Sequence, residues 1–260
     1  MVQAENITDL TGRIAVVIGG TSGLGRSIAV GLARSGANVV PTGRREELIE
    51  EVCADVEACG RETLRQIVDV SERKSIDALR GAVLKRFERV DILVNAAGRT
   101  ARRATSEVDE SEWSGIMDTN LTGMLRACQS FYESLKQSGR GRIVNIASLA
   151  SFVAFHEVAA YGASKAGVLA LTRSLGAEWA RDGINVNAIV PGVFPTELNA
   201  KLLDGTERGR ELLLRTPMRR FGRPEELIGA AVFLASDAAS FITGQSIAVD
   251  GGFLASGVNS

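Results

Sequence analysis

Arg13-Ile-Ala-Val-Val-Ile18-Gly19-Gly-Thr-Ser-Gly23-Leu-Gly25 decides how this chain folds. The run from Arg13 to Ile18 is apolar and rich in β-branched residues, the pattern of a buried strand. Three glycines, at positions 19, 23 and 25, follow at once. Arg26 to Ser35 then carries apolar residues at Ile28, Ala29, Leu32 and Ala33, the spacing of a helix with one core-facing side. Gly36 supplies the stop, and Asn38-Val-Val-Pro-Thr42 is a second strand. Strand, glycine-rich turn, helix, strand is the unit that binds a dinucleotide. The glycines let the backbone approach a pyrophosphate, and the helix N-terminus turns its free N–H groups toward it. The spacing is GxxxGxG rather than GxGxxG, and taken alone such a turn also occurs as a plain strand–helix connection.

Outward from this unit, strands and helices alternate. Apolar strand candidates are 13–18, 37–42, 64–68, 91–94, 142–147, 184–190 and 246–249. Helical patterns fill 45–59, 72–87, 111–136, 160–180 and 224–235. Such alternation predicts an α/β fold, a doubly wound parallel sheet of Rossmann type with helices on both faces. No repeat, low-complexity run or linker divides the chain, so residues 1–260 read as one dinucleotide-binding domain. The stretch 195–223 interrupts the alternation and is rich in charge and glycine. It reads either as a surface insertion or as a mobile lid over a substrate.

A second constellation lies in Asn145-Ile-Ala-Ser148 and Tyr161-Gly-Ala-Ser-Lys165. A spacing of four puts Tyr161 and Lys165 on one helix face. An ammonium beside a phenol stabilises the phenolate, so the sequence predicts a Tyr161 pKa below the usual value of about 10. Such a tyrosine can act as a general acid or base. The pair alone also fits a half-buried tyrosine next to a solvated lysine.

With five motifs in order, the chain resembles the short-chain dehydrogenase/reductase family along nearly its whole length. They are Gly19, Gly23 and Gly25; Asn95-Ala96-Ala97-Gly98; Asn120; Ser148 with Tyr161 and Lys165; and Pro191-Gly192 with Thr196. The family's glycine motif opens with Thr-Gly, whereas here Ile18 stands in place of the threonine and one tying hydroxyl is missing. The resemblance implies a catalytic set of Asn120, Ser148, Tyr161 and Lys165. In it Ser148 orients the substrate oxygen, Tyr161 moves the proton, and Lys165 lowers the tyrosine pKa and holds the nicotinamide ribose. Asn120 supports a water chain from Lys165. The resemblance also implies cofactor contacts from Gly19, Thr21, Ser22, Gly23, Leu24 and Gly25, from Asp69 and Val70 at the adenine, and from Asn95, Ala96, Ala97 and Gly98 beside the ribose. Tyr161, Lys165, Pro191, Gly192, Val193 and Thr196 complete them. Segment 195–223 falls where the family binds substrate, which favours the lid.

An acid at the end of the second strand selects NAD through the ribose 2′-OH, and a basic residue there suits the 2′-phosphate of NADP. Aligned with the family, Gly43 occupies the acid's position, and Arg44 and Arg45 follow. Guanidinium groups fit phosphate, so the expected cofactor is NADP, with NAD the alternative.

Substrate readings rest on two further segments. Arg99-Thr-Ala-Arg102-Arg103 holds three cations in five residues; Arg102 and Arg103 read either as a solvated basic loop or as anion recognition. Between Ser148 and Tyr161 the chain is apolar apart from a few residues, one of them His156, either a bystander or a hydrogen-bond partner of the substrate together with Ser148. The paired arginines resemble the sugar-acid branch of the family, the gluconate and 2-deoxy-gluconate dehydrogenases. That implies hydride transfer between NAD(P) and a sugar acid or polyol. The alternatives are a 3-oxoacyl thioester or general ketone reductase, and a dinucleotide-binding sensor without catalysis.

Composition narrows the field. A net charge of −1 gives no electrostatic case for nucleic acid, and 45% hydrophobic residues suffice for a large core. No apolar run has a membrane-spanning length, and residues 1–10 lack the pattern of a signal peptide. Three cysteines and one histidine offer no metal spacing, so no metal is expected and the compartment reads as cytoplasmic. Helices 111–136 and 160–180 carry Met117, Leu121, Met124, Leu125, Leu169, Leu171 and Trp179, more apolar surface than one core face needs. That predicts a homotetramer with two-fold interfaces.

Overall fold

The computed structural model describes residues 6–196 and 203–258. Six strands are β1 (Ile14–Ile18), β2 (Asn38–Thr42), β3 (Ile92–Asn95), β4 (Gly141–Ile146), β5 (Ile184–Pro191) and β6 (Ser246–Val249). They pair in the order β2-β1-β3-β4-β5-β6, every pair parallel. The helices are α1 (Gly23–Arg34), α2 (Glu46–Ala58), α3 (Arg73–Phe87), α4 (Glu110–Met117), α5 (Gly123–Gln137), α6 (Ala159–Glu178), α7 (Glu207–Arg215) and α8 (Ile228–Ala235).

Both faces of the sheet are buried from β1 to β5, which explains why these strands read as nearly continuous apolar runs, while the edge strand β6 is partly exposed. In β1, Ile14, Val16 and Ile18 point to one face, where they pack with Ile76 and Leu79 of α3, Phe131 and Leu135 of α5, and Val168 of α6. Ala15 and Val17 point to the other, against Ile28 and Leu32 of α1, Val52 of α2 and Leu234 of α8. The chain crosses from β1 to β2 on one side and to β3 on the other. A crevice therefore opens at the carboxyl ends of β1 and β3, where doubly wound sheets bind their ligands.

Two sequence expectations are corrected. Segment 64–68 is not a strand: it meets the sheet through a single bridge between Gly43 and Ile67. The reason lies in β2. Val39 donates outward to the Glu62 carbonyl, and the next outward-facing position is Pro41, which has no N–H to give. Contact resumes only where Val68 donates to Gly43. The pattern 111–136 is likewise not one helix. Asp118–Thr122 forms a π turn between α4 and α5, and it carries Asn120. The apolar residues expected to exceed one core face are largely taken up within the chain. Met124, Leu169 and Trp179 are buried, and the Leu121 side chain fills the space beside Gly167.

Within 195–223, residues 197–202 lie outside the described residues. Farther along, Thr206 caps α7 by accepting from the Gly209 N–H, and Leu212 is buried.

Candidate active site

The glycine turn makes the floor of the crevice. Gly19 has φ +78°, and a side chain there would meet the backbone of Ala97 at 2.4 Å. A Cβ on Gly25 would stand 2.0 Å from the Gly19 carbonyl oxygen. Only glycine allows the turn, the start of α1 and the segment Asn95–Gly98 to approach this closely. The threonine hydroxyl missing at Ile18 is replaced by backbone bonds. Gly19 and Gly20 both donate to the Thr42 carbonyl, at 2.9 and 3.0 Å. Ser22 is the N-cap of α1 but makes no side-chain cap bond to the first N–H groups of the helix. Across the crevice, Thr196 lies 3.5 Å from where a Gly23 side chain would begin. Leu24 packs inward on the α1 side of the core, and a Gly192 side chain would collide with Asp250. Pro191 ends β5, so Gly192 and Val193 lead directly from the sheet to Thr196.

Beyond the end of β2, Gly43 faces Thr21: a Cβ there would lie 2.5 Å from the Thr21 hydroxyl oxygen. Arg44 and Arg45 are exposed, and Arg45 donates to the Ser22 hydroxyl at 3.4 Å. The Asp69 carboxylate accepts from the Ser71 N–H at 2.9 Å and from the Ser71 hydroxyl at 2.6 Å. These bonds, and less strongly the charge of Arg44, lower its pKa. Val70, Asn95, Asn120 and Lys165 line one small cavity of about 10 Å³, about the space of one water.

The predicted catalytic residues converge. Ser148 follows β4 and caps a short turn by accepting from the Ala150 N–H at 3.1 Å. Tyr161 and Lys165 lie on one face of α6, with the Lys165 Nζ 5.8 Å from the phenol ring centre. Lys165 is buried and donates to the Ile146 carbonyl at 2.6 Å. Asn120 is locked: its Oδ1 accepts from the Arg99 N–H at 2.8 Å, and its Nδ2 donates to the Arg99 carbonyl and to the Ser164 hydroxyl. A Cβ on Gly98 would lie 3.5 Å from the Asn120 Oδ1 and 3.7 Å from the Lys165 Nζ, so the Asn95–Gly98 segment borders both side chains.

The electrostatics differ from the sequence expectation. Burial raises the Tyr161 pKa, and the hydrogen bond with Ser148 lowers it only in part. Burial also pushes the Lys165 ammonium down to about 8. With Nζ turned to the Ile146 carbonyl, lysine and phenol share a desolvated site, where the charged form of each is disfavoured.

The predicted substrate cations are already paired. Arg102 Nε stands 2.7 Å from Glu157 Oε2, and Arg103 Nε stands 3.1 Å from Glu112 Oε2. His156 is exposed, with Nδ1 3.7 Å from the same Glu157 oxygen. Sequence reading missed Ser164, Ile146, Glu112 and Glu157 as site residues, and it took Arg99 for its cation alone. Ile146 and Arg99 act through backbone atoms, which no side-chain pattern reveals. Ser164, next to Lys165, was the one with a positional signal.

A family model described as enoyl-(acyl carrier protein) reductase matches residues 18–254. The chain is 40% identical to a 2-dehydro-3-deoxy-D-gluconate 5-dehydrogenase of Dickeya dadantii, over 96% of this chain and 98% of that one. It is 38% identical to a D-threitol dehydrogenase of Mycolicibacterium smegmatis, over 97% and 99%. Among solved structures it is similar to a gluconate 5-dehydrogenase from Burkholderia cenocepacia in complex with NADP and tartrate, with a TM-score of 0.92 and 36% identity over 96% and 98%. By motif order, sheet topology and these full-length matches, the chain belongs to the short-chain dehydrogenase/reductase family, in its gluconate dehydrogenase-like branch.

Proposed function

We propose that this protein is an NADP-dependent oxidoreductase that interconverts a carbonyl and a secondary alcohol on a sugar acid or polyol. The observation that carries this reading is the convergence of Ser148, Tyr161, Lys165 and Asn120 beside a glycine cradle that no side chain could share. The cradle, the open N-terminus of α1 and the exposed Arg44 and Arg45 fit a phosphorylated dinucleotide, with the arginines on its 2′-phosphate. Asp69 and Val70 would border the adenine, and Thr196 the carboxamide. Relatives of known structure bind NADP, and curated relatives act on gluconate derivatives and on threitol.

The cofactor supplies a hydride to the carbonyl carbon, or takes one from the alcohol. Ser148 holds the substrate oxygen by a hydrogen bond. Tyr161 donates the proton to that oxygen during reduction and removes it during oxidation. A phenol pKa raised by burial keeps the proton-donating form present at neutral pH, so oxidation gains rate as pH rises. Lys165, anchored on the Ile146 carbonyl, holds its Nζ 5.8 Å from the Tyr161 ring centre, where the resemblance places the nicotinamide ribose. The Asn120 side chain is spent on Arg99 and Ser164, so it positions the wall that carries Gly98.

Segment 195–223 serves as the lid in this reading, with α7 as its helical part. The enzyme is read as a cytoplasmic homotetramer. All three cysteines are free thiols, and two separate exposed apolar sites, Trp113 on α4 and Phe241 just ahead of β6, suit two kinds of interface. Sedimentation at micromolar concentration tests the assembly, and a monomer refutes it.

The decisive experiment follows NADPH and NADH oxidation at 340 nm with keto-sugar acids, neutral ketoses, diketones and 3-oxoacyl thioesters. Turnover of keto acids or ketoses with NADPH, lost in Tyr161→Phe while NADPH still binds, supports the proposal. Turnover confined to apolar ketones retires the sugar reading, and silence with NADPH bound points to a sensor. Arg44→Ala must reduce the NADPH preference.

A further inference from the structure

We propose that Glu157 is a built-in competitor for the substrate's carboxylate, holding Arg102 until an acidic substrate displaces it. This rests on the sugar-acid reading above. The loop that follows Gly98 and the loop that precedes Tyr161 are stitched together at one point. Arg103 donates its backbone N–H to the Glu157 carbonyl at 2.9 Å, and the Arg102 guanidinium binds the Glu157 carboxylate at 2.7 Å. Glu157 lies four residues before Tyr161, on the loop that leads into α6.

Three features separate this pair from an ordinary surface contact. First, Glu157 has φ +66°, a left-handed conformation that a side chain bearing Cβ adopts at a cost. The local backbone would suit glycine, so the carboxylate is held there against a local preference. Second, the two arginines are paired differently. Glu112, the partner of Arg103, has a side chain only 16% exposed and belongs to α4, a regular helix. Glu157 sits on a loop, at 29%, and Arg102 at 45%. Both arginines reach solvent, Arg103 at 48%, so the difference lies in the glutamates, of which Glu157 is the more accessible. Third, the exchange is like for like. A substrate carboxylate offers the guanidinium an oxygen in place of Glu157 Oε2, so Arg102 stays paired before and after binding. The freed Glu157 turns toward solvent and toward His156, whose Nδ1 lies 3.7 Å away.

The consequence is selectivity. A neutral polyol has no group to displace Glu157 and binds without breaking the pair. An acidic substrate must break it and gains less than an unmasked arginine would give. Glu157→Gln removes the charge while keeping size and hydrogen-bonding capacity. Since exposed ion pairs are worth a few tenths to about 1 kcal/mol, it should raise the ratio of kcat/KM for gluconate over D-threitol by roughly two- to fivefold. The gain should vanish in the Arg102→Ala background and shrink with added salt. Glu157→Gly, which also releases the backbone strain, should raise the ratio at least as much.

Kinetics with both substrates on wild type and the three variants test this. An unchanged or lowered ratio in Glu157→Gln, or the same gain without Arg102, overturns the proposal. A second readout needs no turnover. With saturating NADPH, tartrate should raise the Tm of Glu157→Gln more than that of wild type, and equal shifts overturn the exchange. If wild type oxidises neither gluconate nor threitol, the functional reading falls, while the tartrate comparison still decides on Glu157.

Discussion

Lys165 is buried, and its pKa falls from 10.5 to about 8 because desolvation disfavours the ammonium. The ammonium donates to a neutral carbonyl, that of Ile146, at 2.6 Å. Below about pH 8 the lysine is charged in both the folded and the unfolded chain, and the fold bears the whole cost of burying it. Between about 8 and 10.5 the unfolded chain keeps a proton that the folded chain has released, so stability rises with pH across that window. At about 1.4 kcal/mol for each tenfold change in proton affinity, the full gain is about 3 kcal/mol, most of it realised by pH 10. Tyr161 acts in the opposite direction: its raised pKa makes stability fall once the unfolded phenol ionises above about 10. Comparison with Lys165→Met cancels that contribution, since the phenol is present in both proteins. Urea unfolding of the two proteins at fixed ionic strength between pH 7 and pH 10 gives the measurement. The stability of wild type relative to the variant should climb by about 2–3 kcal/mol across that range. A difference that stays flat with pH would mean that Lys165 is solvated or ion-paired in solution, and would refute the account of the site as a desolvated pair.

Gly43→Asp places a carboxylate where NAD-selecting enzymes carry one, but its Cβ lands 2.5 Å from the Thr21 hydroxyl oxygen. The single variant should lose NADPH preference and about 1–3 kcal/mol of stability through overpacking. Adding Thr21→Ala should restore stability without restoring the preference, and a single variant as stable and as NADPH-selective as wild type refutes this. In the core, Asn145 accepts from Asn95 at 2.9 Å and donates to Thr172 at 3.0 Å with no exposure to solvent. Asn145→Ala should cost about 2–4 kcal/mol in urea unfolding, because Asn95 and Thr172 each lose a buried hydrogen bond; a loss below about 1 kcal/mol would show that the network carries no stability.

What the sequence could and could not disclose follows from the range of the interactions. The strand from Arg13, the glycine spacing and the pair Tyr161 and Lys165 are legible because their geometry is local: a period of two, a period of 3.6, a residue that permits positive φ. Six of the seven expected strands stand for that reason. The seventh, 64–68, fails because a strand needs a partner edge, and the edge offered by β2 is interrupted by Pro41, a residue that reads as tolerable within its own run. The π turn at Asn120 escapes for a related reason. Asp118–Thr122 contains no glycine or proline to mark a break, and what the turn accomplishes is to aim Asn120 at the backbone of Arg99, 21 residues away. The charged loops show the limit most clearly. Arg102 and Arg103 read alike in sequence as a basic pair, yet each takes a carboxylate from a different element, α4 in one case and a loop more than fifty residues farther on in the other. Whether a cation is available to a substrate is a property of its partner's placement and strain, and Glu157, unremarkable as a letter, acquires its meaning only from the backbone angle that holds it over Arg102.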